Sequence, residues 1–225
     1  MKYHLKELIA FYADHANPDD QGPMAAYMKN KFKFLGIRSP QRRELNRSFF
    51  REYGKPVKSE LFGIVKSLYG LPEREYHYLA MEIAGVFKKK WDREDLDTIE
   101  FMMSHNTWWD SIDFIASNLM GSYLLKYSEL KAKLNRSYIK DKSLWVRRVA
   151  LLFQLKYKEK TDVKMLESNI LKCCHETEFF IEKAIGWALR EYSKKDAQWV
   201  ETFISKHQLR PLSVREGLKW LKKNG

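Results

Sequence analysis

The sequence predicts an all-α protein, a solenoid of antiparallel helix pairs with a concave basic face. Three observations carry this expectation. Apolar residues recur at the 3.6-residue period of a helix nearly throughout, and ten glycines, six prolines and almost no β-branched alternation leave little room for strands. The pattern then repeats. With Glu75–Ala80, Ile112–Ile115, Arg147–Ala150 and Glu182–Ile185 laid over one another, the apolar positions Ala80, Ile115, Ala150 and Ile185 step by 35 residues each time. A period near 35 residues, built of two helices, is the signature of stacked helical pairs. Finally, 41 Lys and Arg against 29 Asp and Glu give a formal net charge of +12, spread along the chain and not gathered in a tail. Such a spread suggests a basic face on a folded domain.

Taken in order, the periodic segments predict helices over 2–15, 19–30, 40–53, 58–69, 73–90, 93–105, 108–127, 128–140, 143–159, 162–174, 178–194, 196–206 and 213–223. The first five are separated at Asn17-Pro18, Ser39-Pro40, Gly54-Lys55-Pro56 and Leu71-Pro72, and Arg210-Pro211 precedes the last. Proline fixes φ and lacks an N–H, so each of these is a helix start or a turn. Basic residues recur at the ends of the repeated helices: Lys88 to Lys90, Lys126, Lys156 with Lys158, and Arg190. The Trp, Gly and Pro spacing of tetratricopeptide repeats is missing, so HEAT-like pairs are expected, with a bundle lacking true repeats as the alternative. Connections are short and no low-complexity linker appears, which favours one continuous domain over residues 1–225.

Several function classes drop out. No run approaches the roughly 18 apolar residues of a membrane span. The opening MKYHLKELIAFYADHA alternates charged and apolar residues and lacks an uninterrupted secretory core. The two cysteines, Cys173 and Cys174, are adjacent, a spacing suited neither to a disulfide nor to a metal, and a reducing cytosol fits them. A cytoplasmic protein is therefore expected. The six histidines are scattered without metal-ligand spacing, and no GxxxxGK[ST] or GxGxxG loop is present, so neither metal nor cofactor is expected. Nucleic acid is the leading polyanion for the basic face, with an anionic membrane surface second.

The 35-residue step also sorts the polar residues. It puts Tyr78, Asp113, Arg148 and Lys183 in one row. Trp109 lies one turn before Asp113 and shares its helix face, Trp187 lies one turn after Lys183, and Arg190 and Lys194 continue that stripe. Lys156 extends the Arg148 stripe by two turns. Trp108 and Asp110 point elsewhere and read as structural. An acid, two indoles and several cations on one face suit a surface that receives a ligand, because an unpaired charge in a helix interface costs several kcal/mol. The cations can neutralise phosphates. Arg148 has a second reading, an ion pair with Asp113 across neighbouring repeats that orients the carboxylate. By periodicity alone Trp187, amid the apolar residues of Ile181–Tyr192, reads as core.

These residues resemble the AlkD-type DNA glycosylases, a HEAT-like-repeat family that removes alkylated bases. The carrying segments are Met24–Asn30 with Phe34–Ile37, Leu71–Glu75, Trp108–Asp113, Leu152–Lys158, Lys183–Tyr192, and Pro211–Ser213 with Arg215-Glu216. The likeness runs from about residue 5 to 223, and the Trp108–Asp113 and Lys183–Tyr192 blocks are its most specific parts. The resemblance implies a monofunctional glycosylase, without strand cleavage, acting on duplex DNA that carries cationic N3- or N7-alkyl purines; a concave DNA-binding solenoid needs no partner, so a monomer is expected. It gives Asp113 the role of catalytic carboxylate, Trp109 and Trp187 those of aromatics against the lesion and its sugar, and Arg148 that of a phosphate contact. Tyr27 lies in the matching N-terminal cleft element.

The residue types suit that chemistry. An N3- or N7-alkyl purine is already a cation and a good leaving group, so no strong acid is required. Positive charge moves to the sugar as the glycosidic bond breaks, where a carboxylate can stabilise it and position water, and indole faces add about 0.5–2 kcal/mol each. Two other classes stand beside this one. A catalytically silent module binding damaged or branched nucleic acid would share the basic face without needing Asp113. A protein-interaction solenoid would need neither the charge nor the acid–indole cluster.

Overall fold

Several helices begin where the sequence supplies a capping side chain or a proline. The computed structural model describes residues 3–224, with no strand among them. In chain order the helices are α1 (Leu5–Asp14), α2 (Pro18–Tyr27), α3 (Ser39–Tyr53), α4 (Leu61–Tyr69), α5 (Arg74–Val86) and α6 (Asp95–Ser104). Next come α7 (Trp109–Phe114), α8 (Gly121–Lys126), α9 (Ser128–Tyr138), α10 (Leu144–Leu152), α11 (Val163–Cys173) and α12 (Phe179–Ser193). The chain ends in α13 (Ala197–Lys206), α14 (Pro211–Gly217) and α15 (Leu221–Asn224). The Asn17 side chain caps α2 ahead of Pro18, Asp162 accepts from the Met165 N–H at the start of α11, and Asp196 accepts from the Trp199 N–H at the start of α13. The expected start of the first helix at residue 2 lies outside the described residues.

Three expected helices are shaped differently. The span 108–127 is not one α-helix: Trp108 is the N-cap of α7, and a π-helical turn, Ile115–Met120, separates α7 from α8. The cause is local. Ser117 Oγ donates to the Asp113 carbonyl at 2.8 Å and Asn118 Nδ2 to the Phe114 carbonyl at 3.1 Å, so side chains take carbonyls the backbone ladder would use. The span 143–159 is helical only to Leu152, because the chain from Phe153 onward turns back against α8 and Lys158 adopts a left-handed φ of 53°. A Cβ on Gly121 would stand 2.5 Å from the Phe153 carbonyl oxygen, so only glycine admits this approach. The last segment starts at Pro211, two residues earlier than expected, and breaks after Gly217.

The chain divides into two compact units, Met1–Asn106 and Thr107–Gly225. In the first, Tyr12 on α1 donates to Asn46 on α3, whose amide donates to Glu82 on α5, and Arg42 on α3 reaches the other Glu82 oxygen at 2.8 Å. The loop before α3 is held by the buried Glu75 carboxylate, which accepts the N–H groups of Leu35, Gly36 and Ile37, each at 3.0 Å. In the second, Asn135 on α9 and Asn169 on α11 exchange amide hydrogen bonds of 2.9 and 2.7 Å, and Tyr157 Oη donates to the Gly121 carbonyl at 2.8 Å. These partners are 34 to 40 residues apart in sequence, as stacking of equivalent helices requires. The four register positions are all core: Ala80, Ile115, Ala150 and Ile185 are at most 2% exposed.

Candidate active site

The second unit brings an acid and an arginine together at one step of the register. Asp113 is on α7, four residues after Trp109, and Arg148 is in the middle of α10. Arg148 Nε donates to Asp113 Oδ1 at 2.7 Å and Nη2 to Oδ2 at 2.9 Å, a two-point clamp that fixes the carboxylate plane. Nη1 donates to the Phe180 carbonyl at the start of α12. The arginine lies behind the acid: its side chain is 4% exposed and that of Asp113 16%. Burial pushes the Asp113 carboxyl above the ordinary aspartate range, the hydrogen bonds and charge of Arg148 pull it back without cancelling the effect, and Asp110 adds a push upward.

An aromatic cluster supports this clamp. The Trp108 ring lies 5.3 Å from Trp145 and 5.4 Å, edge-on, from Phe180, and Trp145 and Phe180 are 5.0 Å apart. Exposed Phe179 meets Phe180 edge-on at 5.3 Å. The Phe180 backbone and ring thus link Arg148 to Trp108. Trp109 is half-buried on the face of α7 that carries Asp113. Trp187 is half-buried too, seven residues beyond Phe180 and so two turns along the same stripe of α12. Periodicity alone reads Trp187 as core, whereas the structure leaves it only half-buried.

The expected cations fall into three groups. Lys183 and Arg190 both turn to Glu216 on α14, at 3.0 and 3.5 Å. Lys194 pairs with Glu191 at 2.6 Å and stays exposed. Lys156 does not continue a helical stripe from Arg148, because α10 ends at Leu152; it is exposed in the following turn, where it donates to Asn118 Oδ1 at 2.5 Å. Tyr27 ends α2 in the first unit, 69% exposed. A cavity of about 260 Å³ opens between the C-terminal parts of α10 and α12, away from Arg148 and Phe180, and of the expected site residues only Lys194 lines it. The sequence reading gives no role to Phe180, Trp145, Asn118 or Glu216. Trp145 and Phe180 are themselves 35 residues apart, a signal present but unused.

Among the described residues no group of three or more His, Cys, Asp or Glu side chains is placed to share a metal ion, and no helix is long and apolar enough to cross a membrane. Residues 8–221 match the family model described as DNA alkylation repair enzyme. A solved structure from Enterococcus faecalis, described as a predicted DNA alkylation repair enzyme, is 36% identical and superposes with a TM-score of 0.85 over 92% of this chain and 97% of that one. The structure of smu.31 from Streptococcus mutans UA159 is 16% identical, with a TM-score of 0.58 over 83% of this chain and 96% of that one, and bears on the fold alone. No curated protein matches the chain. With a family match that spans nearly every helix and a solved relative of the same description, this chain belongs to the family of DNA alkylation repair enzymes.

Proposed function

We propose that the protein is a monofunctional DNA glycosylase that hydrolyses the N-glycosidic bond of cationic N3- and N7-alkyl purines in duplex DNA, acting as a monomer in the cytoplasm. The observation that carries this reading is the two-point clamp of buried Arg148 on Asp113, with Trp109 on the same helix face. A buried guanidinium occupies one lone-pair direction on each carboxylate oxygen and leaves the outer directions to the exposed side. Asp113 takes this one guanidinium on both oxygens and shares its helix face with half-buried Trp109, an arrangement that leaves the acid free to meet a ligand. Arg148 serves as a positioning residue in this scheme.

The purine leaves with the electron pair of the C1′–N bond, which neutralises its own positive charge. Charge builds on the sugar as an oxocarbenium ion, and Asp113 stabilises it across a short, partly dry distance. Water adds at C1′, losing its proton to Asp113 or to solvent, and an abasic site remains. Trp109 and Trp187 stack against the cationic groups, worth about 0.5–2 kcal/mol each. A neutral purine gains none of this, so selectivity follows from charge. Lys156, Lys183, Arg190 and Lys194, with Tyr27, bind the duplex.

The experiment is direct. Methylated duplex DNA is incubated with the protein, and released 7-methylguanine and 3-methyladenine are separated by chromatography. Release should fall by about 10²–10³-fold in Asp113→Asn, the scale of losing one electrostatic stabiliser, while binding to undamaged duplex persists. Undiminished release by Asp113→Asn would overturn the mechanism. No release by the wild type, with DNA binding intact, would point to a catalytically silent module.

A further inference from the structure

One buried carboxylate gathers three cations where α12 meets α14. Glu216 is 5% exposed. Lys183 Nζ and Lys219 Nζ approach the same oxygen, Oε1, at 3.0 and 2.6 Å, and Arg190 Nη1 lies 3.5 Å from Oε2. Two ammonium groups on one oxygen are like charges held a few ångströms apart. The cluster as a whole carries a net charge of +2.

The close approach of the two helices is built in. A Cβ on Gly186 would fall 2.4 Å from the Glu216 Cβ and 2.9 Å from the Ser213 carbonyl oxygen, so only glycine lets α14 settle here. Ser213 Oγ donates to the Glu182 carbonyl at 2.9 Å and pins the contact. Glu216 is the only acid in residues 210–224, against Arg210, Arg215, Lys219, Lys222 and Lys223.

An acid buried in a helix interface needs one cation for neutrality. Here it has three, and their side chains are 30 to 50% exposed. Burial pushes the Glu216 carboxyl up, but the hydrogen bonds and charges of Lys219 and Lys183 together outweigh it and hold the carboxyl below its ordinary range, so the acid stays charged. Each lysine directs one donor inward and keeps others for the outside. An excess of positive charge with outward donors at fixed spacing is suited to the anionic oxygens of a phosphodiester. Lys183 and Arg190 lie one turn to either side of Trp187 on α12.

We propose that Lys183, Arg190 and Lys219, clasped by Glu216, grip the sugar–phosphate backbone of duplex DNA beside Trp187, with Glu216 as the positioning residue that keeps them together. This deepens the glycosylase reading and rests on it for the duplex as ligand. Lys219 is a backbone contact that the 35-residue row does not reach, and Glu216 has a role that counting charges would invert.

The test uses the full chain and an unmethylated duplex, with affinity followed by fluorescence anisotropy across a salt series. Lys219→Ala should lower the slope of log K against log salt by about 0.9, the value of one phosphate contact. Lys172→Ala, an exposed lysine in the last turn of α11, should leave the slope unchanged. Glu216→Gln adds one net positive charge, so a simple counter-charge predicts tighter binding, whereas a positioning residue predicts weaker binding. A wild-type slope in Lys219→Ala, tighter binding in Glu216→Gln, or an equal loss in Lys172→Ala would each overturn the proposal. Should Glu216→Gln fail to fold by circular dichroism, the two lysine variants decide. Absence of base release by the wild type would sink the glycosylase reading while leaving these slopes, and this site, standing.

Discussion

Replacing Arg148 separates a residue that grips phosphate from one that holds a carboxylate. Arg148→Ala removes both donors on Asp113 and the donor on the Phe180 carbonyl. Breaking one side of a buried ion pair costs about 3–5 kcal/mol. Asp113 is 16% exposed and recovers some hydration, which favours the lower part of that range; the Phe180 carbonyl adds about 1 kcal/mol. A loss of roughly 4 kcal/mol follows, or a fall in Tm on the order of 10 °C. Arg148→Lys keeps the charge but cannot clamp both oxygens, so it should fall between the two.

The pH profile carries the stronger signal. Burial raises the Asp113 carboxyl and Arg148 lowers it. Without Arg148, burial and the Asp110 charge act unopposed, the carboxyl holds its proton to still higher pH, and the ionised form needed for catalysis appears later. The acid limb of kcat/KM should therefore move to higher pH in Arg148→Ala, with part of the activity returning on the alkaline side. The slope of DNA affinity against salt should stay as in the wild type, because Arg148 is 3% exposed. An unshifted acid limb with a salt slope reduced by about 0.9 would make Arg148 a phosphate ligand and refute the positioning argument.

Two further outcomes rest on the same geometry. Trp108→Phe should lower stability by about 1–2 kcal/mol through its packing on Trp145 and Phe180 but keep base release within a few-fold, whereas Trp109→Ala should cut release by about tenfold or more; equal effects in a release assay would undo the division of labour between adjacent indoles. Gly121→Ala would drive a Cβ to 2.5 Å from the Phe153 carbonyl, and urea denaturation should show a loss of about 1–3 kcal/mol; a midpoint equal to the wild type would mean that the turn after α10 yields freely.

The pairing of Asp113 with Arg148 was legible because equivalent helices repeat every 35 residues, so two charges one period apart meet. Helix starts were legible where a proline or a capping side chain marks them, as at Pro18 and Asp196. The π turn was not. Ser117 and Asn118 are compatible with an ordinary helix, and only their hydrogen bonds to the carbonyls of Asp113 and Phe114 widen it. Nor was the end of α10, because the mostly apolar stretch Leu151 to Leu155 continues past it without proline or glycine and what stops the helix is the approach of a distant segment at Gly121. Glu216 stayed hidden for a related reason. It reaches Lys183 and Arg190 through a helix crossing that depends on Gly186, and sequence separation alone does not reveal it.

A stack of helices brings opposite charges together wherever the register allows, so pairing alone does not mark a site. Arg42 and Glu82 are the instructive comparison. Their exposures, 8% and 28%, put the acid outward just as in the Asp113–Arg148 pair. The difference lies in what else reaches the carboxylate. Glu82 takes Arg42 on one oxygen and the Asn46 amide on the other, and Tyr12 closes the network by donating to Asn46. That is a stitch joining α1, α3 and α5. Asp113 takes a single guanidinium on both oxygens, with Trp109 on its own helix face. Glu82→Gln and Asp113→Asn should therefore part company. The first should lose about 1–3 kcal/mol in urea unfolding, as expected for a hydrogen-bonded charge, and keep its base release per folded molecule. The second should keep undamaged-duplex binding and lose release. If Glu82→Gln abolished release in a protein that still folds, the acid of the first unit would belong to the chemistry as well, and Asp113 would no longer suffice as its carboxylate.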